Sequence, residues 1–205
     1  MASSEARISR IMGIELARLD EDVAQAELES MSLDVSNISA SFDLDGEYDL
    51  ERLAEDLPNS EYDPDHHRSL IYRSPNVGSF TVLLPPRGRV SIAGGKSKQE
   101  INRGVQEFVS ELCSLGLNDD YRDIRIENVV ATGDIGQAVN LNAAVIALGL
   151  ESTEYEPEQF PGAIYRTEEG VILIFSSGKV VITSVRTYRE AFSAFLDIQE
   201  KLSQI

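Results

Sequence analysis

Tryptophan is absent from the 205 residues, cysteine occurs once and histidine twice. The single thiol, Cys113, can form no internal disulfide and no cysteine-rich metal centre, a pattern that suits a reducing cytoplasm. No apolar run approaches the roughly 18 residues of a membrane helix, and no secretory leader precedes the charged start, so no membrane partner is expected. Bases are scarce: 18 Lys and Arg face 35 Asp and Glu, a net charge of −17. Taken alone, that balance argues against nucleic acid, whose binders usually carry a basic surface. It equally fits a salt-rich cytoplasm, where carboxylates keep surfaces hydrated and screening is strong. An apolar fraction of 42% with 14 Gly and 7 Pro is ordinary globular composition and excludes wholesale disorder.

The distribution of charge carries more than its sum. Ten acids and one base, Arg52, fall between Asp43 and Asp65. From Arg68 to Arg103 the balance inverts, with seven bases against Glu100 alone. A smaller basic stretch, Lys179, Arg186 and Arg189, follows in a segment without acids from Gly170 to Arg189. The acid is therefore expected on a first helix, on loops and on the amino-terminal extension, and the base on strands.

The chain also repeats itself. Asn37-Ile38-Ser39-Ala40-Ser41-Phe42-Asp43-Leu44 parallels Asn128-Val129-Val130-Ala131-Thr132-Gly133-Asp134-Ile135, about 91 positions later. Glu61-Tyr62-Asp63-Pro64 parallels Glu154-Tyr155-Glu156-Pro157, Ile71-Tyr72-Arg73 parallels Ile164-Tyr165-Arg166, and Gly88-Arg89-Val90-Ser91-Ile92 parallels Gly178-Lys179-Val180-Val181-Ile182. Four blocks in one order at nearly one offset imply a tandem duplication of a unit of about 90 residues.

Periodicity changes in the same order within each unit. Val35 to Phe42 and Ile124 to Ala131 are short and rich in β-branched residues, as strands are. Short helical patterns follow at Leu50-Leu53-Ala54-Leu57 and Leu141-Ala144-Val145-Leu148. Three strands come next: Ser69–Arg73, Ser79–Leu84 and Gly88–Ala93, then Ala163–Arg166, Val171–Phe175 and Lys179–Ser184. Each unit closes on an amphipathic helix, marked by Ile101, Val105, Phe108, Val109 and Leu112, and by Tyr188, Ala191, Phe192, Phe195, Ile198 and Leu202. Cys113 falls on the apolar stripe of the first of these helices and reads as buried packing. The pattern predicts an α+β fold with a meandering antiparallel sheet. Alternation places Lys179, Val181 and Thr183 on one face and Val180 and Ile182 on the other, while Asn128 and Val130 share a face. On periodicity alone, Val181, Val130, Phe160 and Phe175 fit either a core or a ligand-facing role.

The stretch from Glu154 through Phe160-Pro161-Gly162-Ala163-Ile164-Tyr165-Arg166, with Leu173-Ile174-Phe175-Ser176-Ser177-Gly178-Lys179-Val180-Val181-Ile182-Thr183, resembles the archaeal TATA-box-binding protein family. The resemblance extends more weakly through the first unit and covers about Leu33 to Ile205. It implies a saddle: two tandem repeats forming a curved antiparallel sheet, with helices on the convex face and the concave face on the DNA minor groove. The family is itself a general example of a groove binder that kinks DNA with inserted apolar side chains. The implied domains are an extension of unknown role over 1–33, a degenerate first saddle repeat over 34–118 and a family-like second repeat over 119–205.

By that resemblance, Asn37 and Asn128 bond base acceptors, Val130, Val181 and Thr183 form an apolar floor, and Phe160 and Phe175 wedge open a base step. Arg73, Arg89 and Lys96 of the first unit, and Arg166, Lys179 and Arg186 of the second, match the phosphate-contacting positions. Glu156, Glu158 and Gln159 match an acidic stirrup that docks transcription factor B. The expected partners are TATA-like promoter DNA and transcription factor B, for a monomer or weak homodimer in a nucleoid-associated, cytoplasmic setting. No cofactor, metal or catalytic residue is expected.

The first unit departs from the family pattern. Ser39 and Ser91 stand where valines are usual, His67 and Pro85 where the wedge phenylalanines are usual, and Ala93 in place of a threonine. Pro85-Pro86 should also disturb the local strand, because neither can donate to a ladder. In the second unit Ser184-Val185 replaces a glycine-containing pair beside a shortened hairpin, which should leave the base-facing set untouched. Two functions remain open: a transcription initiation factor, or a degenerate paralogue acting mainly as a protein-interaction module.

Other motifs dissolve on inspection. Gly94-Gly95-Lys96-Ser97 resembles a phosphate loop, but the first glycine of that motif would fall at Val90. Asp43-Leu44-Asp45-Gly46 resembles a calcium loop whose glycine comes two positions early. His66 and His67 are adjacent and cannot share a helix face as a metal pair. Residues 1–33 fit an amphipathic helix through Ile8, Ile11, Met12, Leu16, Leu19 and Val23, or equally a hairpin around Asp20-Glu21-Asp22.

Overall fold

Strand, helix, four strands and helix follow one another twice along the chain. The computed structural model describes residues 33–117 and 120–204, so the helix-or-hairpin expectation for the amino-terminal extension lies outside the described residues. The first series is β1 (Leu33–Glu47), α1 (Leu50–Asp56), β2 (Ser60–Glu61), β3 (Leu70–Arg73), β4 (Thr81–Leu84), β5 (Arg87–Gly95) and α2 (Lys98–Ser114). The second is β6 (Tyr121–Asp134), α3 (Leu141–Leu148), β7 (Thr153–Glu154), β8 (Gly162–Arg166), β9 (Val171–Phe175), β10 (Lys179–Val185) and α4 (Tyr188–Ser203). The expected order holds, with β2 and β7 added. Two residues are too short to show a period, which is why these strands are silent in the sequence.

The chain divides into a first unit containing residues 37–127 and a second containing 128–204 with the start of β1. In the first unit the strands lie in the order β2-β3-β4-β5-β1, and in the second in the order β6-β10-β9-β8-β7. Every pairing within each is antiparallel. Pro85 and Pro86 do not distort a strand interior. They lie between β4 and β5, and β4 ends at Leu84, one residue short of its counterpart β9.

Each helix begins on a side chain that caps it. Asp49 accepts from the backbone N–H of Arg52, Asn140 from Ala143, Ser97 from Glu100 and Thr187 from Glu190. Glu190 reaches back to the Thr187 N–H, completing a capping box. The long helices bury one stripe each: Ile101, Val105, Phe108 and Leu112 in α2, and Ala191, Ala194, Phe195, Ile198 and Leu202 in α4. Cys113 is only half-buried, because it follows Leu112 by 100° around the helix and so lies at the margin of the stripe.

In each unit one face of the sheet supplies the rest of the core. Ile38, Ala40, Phe42 and Leu44 of β1 alternate with outward residues, as do Val90 and Ile92 of β5, and Val180 and Ile182 of β10. A fully buried phenylalanine or leucine contributes about 2–3 kcal/mol, and Phe42, Phe80, Phe108, Phe195 and Leu112 are all in that state. Gly104 lets α2 approach Phe80, since a Cβ there would lie 2.4 Å from the ring. Tyr72 packs on Phe108 with ring centroids 5.2 Å apart and donates its hydroxyl to Glu107 Oε1 at 2.9 Å. Burial, and that bond to a carboxylate, push the Tyr72 phenol well above its ordinary range.

Candidate nucleic-acid interface

Opposite the buried residues, the second unit presents a second row from every strand. Asn128, Val130 and Thr132 alternate outward along β6, Lys179, Val181 and Thr183 along β10, and Val171, Leu173 and Phe175 along β9. Register brings them side by side: Val181 lies opposite Thr132 on one flank and Leu173 on the other, and Thr183 lies opposite Val171. Leu173 in turn faces Ile164 of β8. Lys179 is exposed and the others are half-buried rather than sealed, so the surface is mainly aliphatic with hydroxyls at its margins. The core role left open for Val130 and Val181 is excluded. Leu173, Val171, Ile164 and Thr132 were not singled out by sequence, because an aliphatic residue in a strand looks the same on either face.

The phenylalanines meet at the end of this surface. Phe160 precedes β8 and Phe175 ends β9, and their rings pack edge to face with centroids 5.7 Å apart. Gly162 clears the space for them, since a Cβ there would lie 2.9 Å from the Phe160 ring and 3.1 Å from that of Phe175. Beside Phe175, a depression of about 900 Å³ is lined by Thr132, Pro161, Lys179 and Val181.

Asn128 is oriented by its neighbours. Its Oδ1 accepts the backbone N–H of Ser184 at 2.8 Å and approaches the Thr183 hydroxyl at 3.4 Å. A backbone N–H can only donate, so the oxygen is fixed there, while Nδ2 lies 3.3 Å from the Thr183 hydroxyl oxygen and keeps its second hydrogen for the open surface. Asn37 repeats the arrangement, accepting from Gly94 N–H at 2.9 Å. Both N–H groups point this way because both residues take positive φ, +101° at Gly94 and +63° at Ser184. At Gly94 only glycine fits, as a Cβ would lie 2.1 Å from the Ser79 carbonyl oxygen. In the second unit the facing loop is shorter and the clearance falls at Gly170 instead, where a Cβ would lie 2.8 Å from the Thr183 carbonyl oxygen. The Ser184 replacement therefore does touch the candidate base-facing set, contrary to expectation, because it carries the N–H that aims Asn128.

The first unit has the same scaffold and different chemistry. His67 N–H bonds the Asp63 carbonyl at 2.8 Å as Phe160 N–H bonds the Glu156 carbonyl at 2.9 Å, so the turn that presents the second unit's aromatic presents an exposed imidazole here. Pro85 lies just past β4, where Phe175 ends β9. Ser39 of β1, Ser91 and Ala93 of β5, and Leu83 of β4 complete the outward rows. Leu83 is 41% exposed and was not anticipated.

Carboxylates also occupy this face, which the charge pattern did not predict. Asp43, directly opposite Arg89, accepts from Arg89 Nε at 3.2 Å and from Arg125 Nη1 at 3.3 Å. Those bonds hold its carboxyl below the usual range despite partial burial. Asp45 accepts from Arg122 at 2.5 Å, and Glu127 Oε1 accepts from the Ser41 hydroxyl at 2.5 Å. Asp43 and Asp45 of the calcium-like motif thus pair with arginines, and among the described residues no group of three or more His, Cys, Asp or Glu side chains is placed to hold a metal ion.

The six candidate phosphate-contacting cations divide evenly. Arg73 pairs with Glu61 at 2.8 Å, Arg166 with Glu154 at 3.5 Å, and Arg89 with Asp43. Lys96, Lys179 and Arg186 have no ion pair among the described residues. Lys96 and Arg186 occupy matching positions, each with its N–H bound by the first-turn glutamate of the following helix, Glu100 or Glu190. The acidic stirrup is exposed at Glu156, Glu158 and Gln159, and Gln159 Nε2 donates to the Glu156 carboxylate. The Glu156 carbonyl is also the acceptor for Phe160, which ties the stirrup to the aromatic pair.

Comparison with known proteins accords with this arrangement. The profile of the family described as "Transcription factor TFIID (or TATA-binding protein, TBP)" matches twice, over residues 32–115 and 123–205. The TATA-box-binding protein of Haloarcula marismortui is 38% identical over 177 residues, covering 85% of this chain and 95% of that one. TATA-box-binding protein C of Halobacterium salinarum is 40% identical, covering 85% and 99%. The solved structure of Methanococcus jannaschii TBP superposes with a TM-score of 0.74 at 36% identity, covering 85% of this chain and 99% of that one. The duplicated α+β unit, the two profile matches and these relatives together establish that the chain belongs to the TATA-binding protein family.

Proposed function

We propose that this protein is a transcription initiation factor that binds promoter DNA in the minor groove and bends it. The observation that carries the reading is the second unit's open face. An amide donor aimed outward at Asn128 sits beside the aliphatic floor of Val130, Val181 and Leu173, with the Phe160–Phe175 pair at its end. A·T pairs present only the N3 and O2 acceptors in the minor groove, which suits one fixed donor amid apolar contact. Unstacking a base step costs a few kcal/mol, and inserted aromatic rings offset it by the contact the bend allows. Lys179 and Arg186 lie where phosphates would flank that face, and Glu156, Glu158 and Gln159 offer the surface for transcription factor B.

A specific observation also favours a second reading, that of a protein-interaction module with weak DNA affinity. His67 and Pro85 replace the first aromatic pair, and three of six candidate phosphate-binding arginines and lysines are engaged by carboxylates. Mobility shift on A·T-box and scrambled duplexes at several salt concentrations, with and without transcription factor B, separates the two. Retention of the A·T-box duplex supports the initiation factor. No retention even with transcription factor B supports the module, and H67F/P85F should then gain binding.

A further inference from the structure

The Glu127 carboxylate stands on the first unit's open face, and the proposed function gives it no role. Its position follows from Ser41. Along β1, Ile38, Ala40, Phe42 and Leu44 are buried against the core, so Asn37, Ser39, Ser41 and Asp43 belong to the opposite row. Ser41 lies opposite Ser91, itself an outward residue of β5. Ser41 is 2% exposed and its hydroxyl donates to Glu127 Oε1 at 2.5 Å, which sets this carboxylate against the strand at that point. The bond uses the only hydrogen of the hydroxyl. The Glu127–Ser41 pair therefore offers acceptors and no donor.

Such a pair is mismatched to an A·T edge, where acceptor would meet acceptor. It is matched to the one donor the minor groove contains, the 2-amino group of guanine. The surrounding residues agree. Ser39 and Ser91 bring small side chains with acceptor oxygens, which leave room for an amino group that bulkier aliphatics would crowd. The Asn37 amide donor is turned towards Ser39, with Nδ2 3.4 Å from its hydroxyl oxygen. The second unit shares the amide contact, with Asn128 Nδ2 3.3 Å from the Thr183 hydroxyl oxygen, but Thr132, Val130 and Val181 form its corresponding rows.

Resting on the DNA-binding reading, we infer that the first unit selects a purine carrying a 2-amino group, so that the preferred site is composite. One half is A·T and the other contains G·C, read by Glu127 held on Ser41. Binding of the full chain to three duplexes tests this: a palindromic A·T box, the same box with 2,6-diaminopurine for adenine in one half, and the box substituted in both halves. Diaminopurine adds the 2-amino group while keeping the pairing with thymine. The half-substituted duplex should bind about tenfold tighter than the plain box, and the doubly substituted one more weakly than the half-substituted one. E127Q keeps the size and the acceptor for Ser41 but adds a donor, so it should abolish the gain and tighten binding to the plain box. An E127Q thermal melt matching the parent's keeps the comparison free of folding effects. A half-substituted duplex that binds no tighter than the plain box, or a gain that survives E127Q, overturns the inference and leaves DNA binding intact. Failure to bind any of the three duplexes overturns the DNA-binding reading and this inference with it.

Discussion

Asn128 Oδ1 accepts the Ser184 backbone N–H at 2.8 Å, and Asn37 Oδ1 accepts the Gly94 N–H at 2.9 Å. The duplication thus preserves one device in both units: a positive-φ residue turns its N–H inward and fixes an asparagine oxygen, which leaves the amide nitrogen beside a hydroxyl of the sheet, Thr183 at 3.3 Å in one unit and Ser39 at 3.4 Å in the other. N128D keeps the acceptor for Ser184 while replacing the outward donor with a carboxylate. Its melting temperature should stay near the parent's, while affinity for an A·T-box duplex falls tenfold or more, corresponding to about 1–3 kcal/mol. Titration by fluorescence anisotropy together with a thermal melt checks both halves of that expectation.

Asp43 should act as an internal competitor for phosphate. It engages Arg89 and Arg125, both more than 40% exposed and so accessible to DNA. D43N leaves those guanidinium groups without their carboxylate. Affinity at low salt should rise, and the slope of log K against log salt should steepen by about one. An unchanged slope would show that neither arginine reaches the backbone.

The aromatic pair should control bending more than retention. F160A and F175A each remove one ring of an edge-to-face pair that is half-exposed at a strand end. Fluorescence energy transfer across an end-labelled duplex should report a clearly smaller bend for either variant, with weaker binding. Folding stability should also fall, by about 0.5–1.5 kcal/mol for the aromatic pair plus the burial lost from a half-exposed ring.

How far this was legible in the sequence depends on the kind of signal. The repeat, the helices and the long strands announce themselves through period and offset, whereas the second unit's asparagine, valines and phenylalanines are marked only by resemblance to the family, since the valines and phenylalanines fit a core equally well by type and spacing. Glu127, Asp43 and Leu83 do not. Whether an acid sits on a sheet face and meets an arginine is decided by cross-strand register, as between Asp43 and Arg89. Register is a relation between distant segments that no local pattern records. The aim of Asn128 was hidden for the same reason, because it depends on a backbone N–H 56 positions away.

Acid should weaken the first unit through Glu107. Burial opposes its ionisation, but hydrogen bonds from Ser74, Tyr72 and Asn76 prevail and hold its carboxyl below the ordinary 4.5. A carboxyl depressed in the fold contributes stability above its unfolded pKa, and that contribution is lost as pH falls through the folded value. Y72F removes one of the donors and should cost about 1 kcal/mol at neutral pH. The difference from the parent should shrink below about pH 4, as measured by urea melts across pH.

Close packing makes a separate prediction at Gly104. G104A would set a Cβ 2.4 Å from the buried ring of Phe80, which has no flexible end to yield. Overpacking of this kind costs about 1–3 kcal/mol, against the modest helix propensity gained from alanine. The melting temperature should therefore fall.

The most direct test of the central claim is energy transfer across an end-labelled A·T-box duplex titrated with the full chain at several salt concentrations. The duplex should bend on binding, and log K should fall with log salt at a slope of about −3. That is the slope for the three candidate cations, Lys96, Lys179 and Arg186, that carry no ion pair among the described residues. A duplex that stays straight at every protein concentration, with transcription factor B present or absent, would contradict the account.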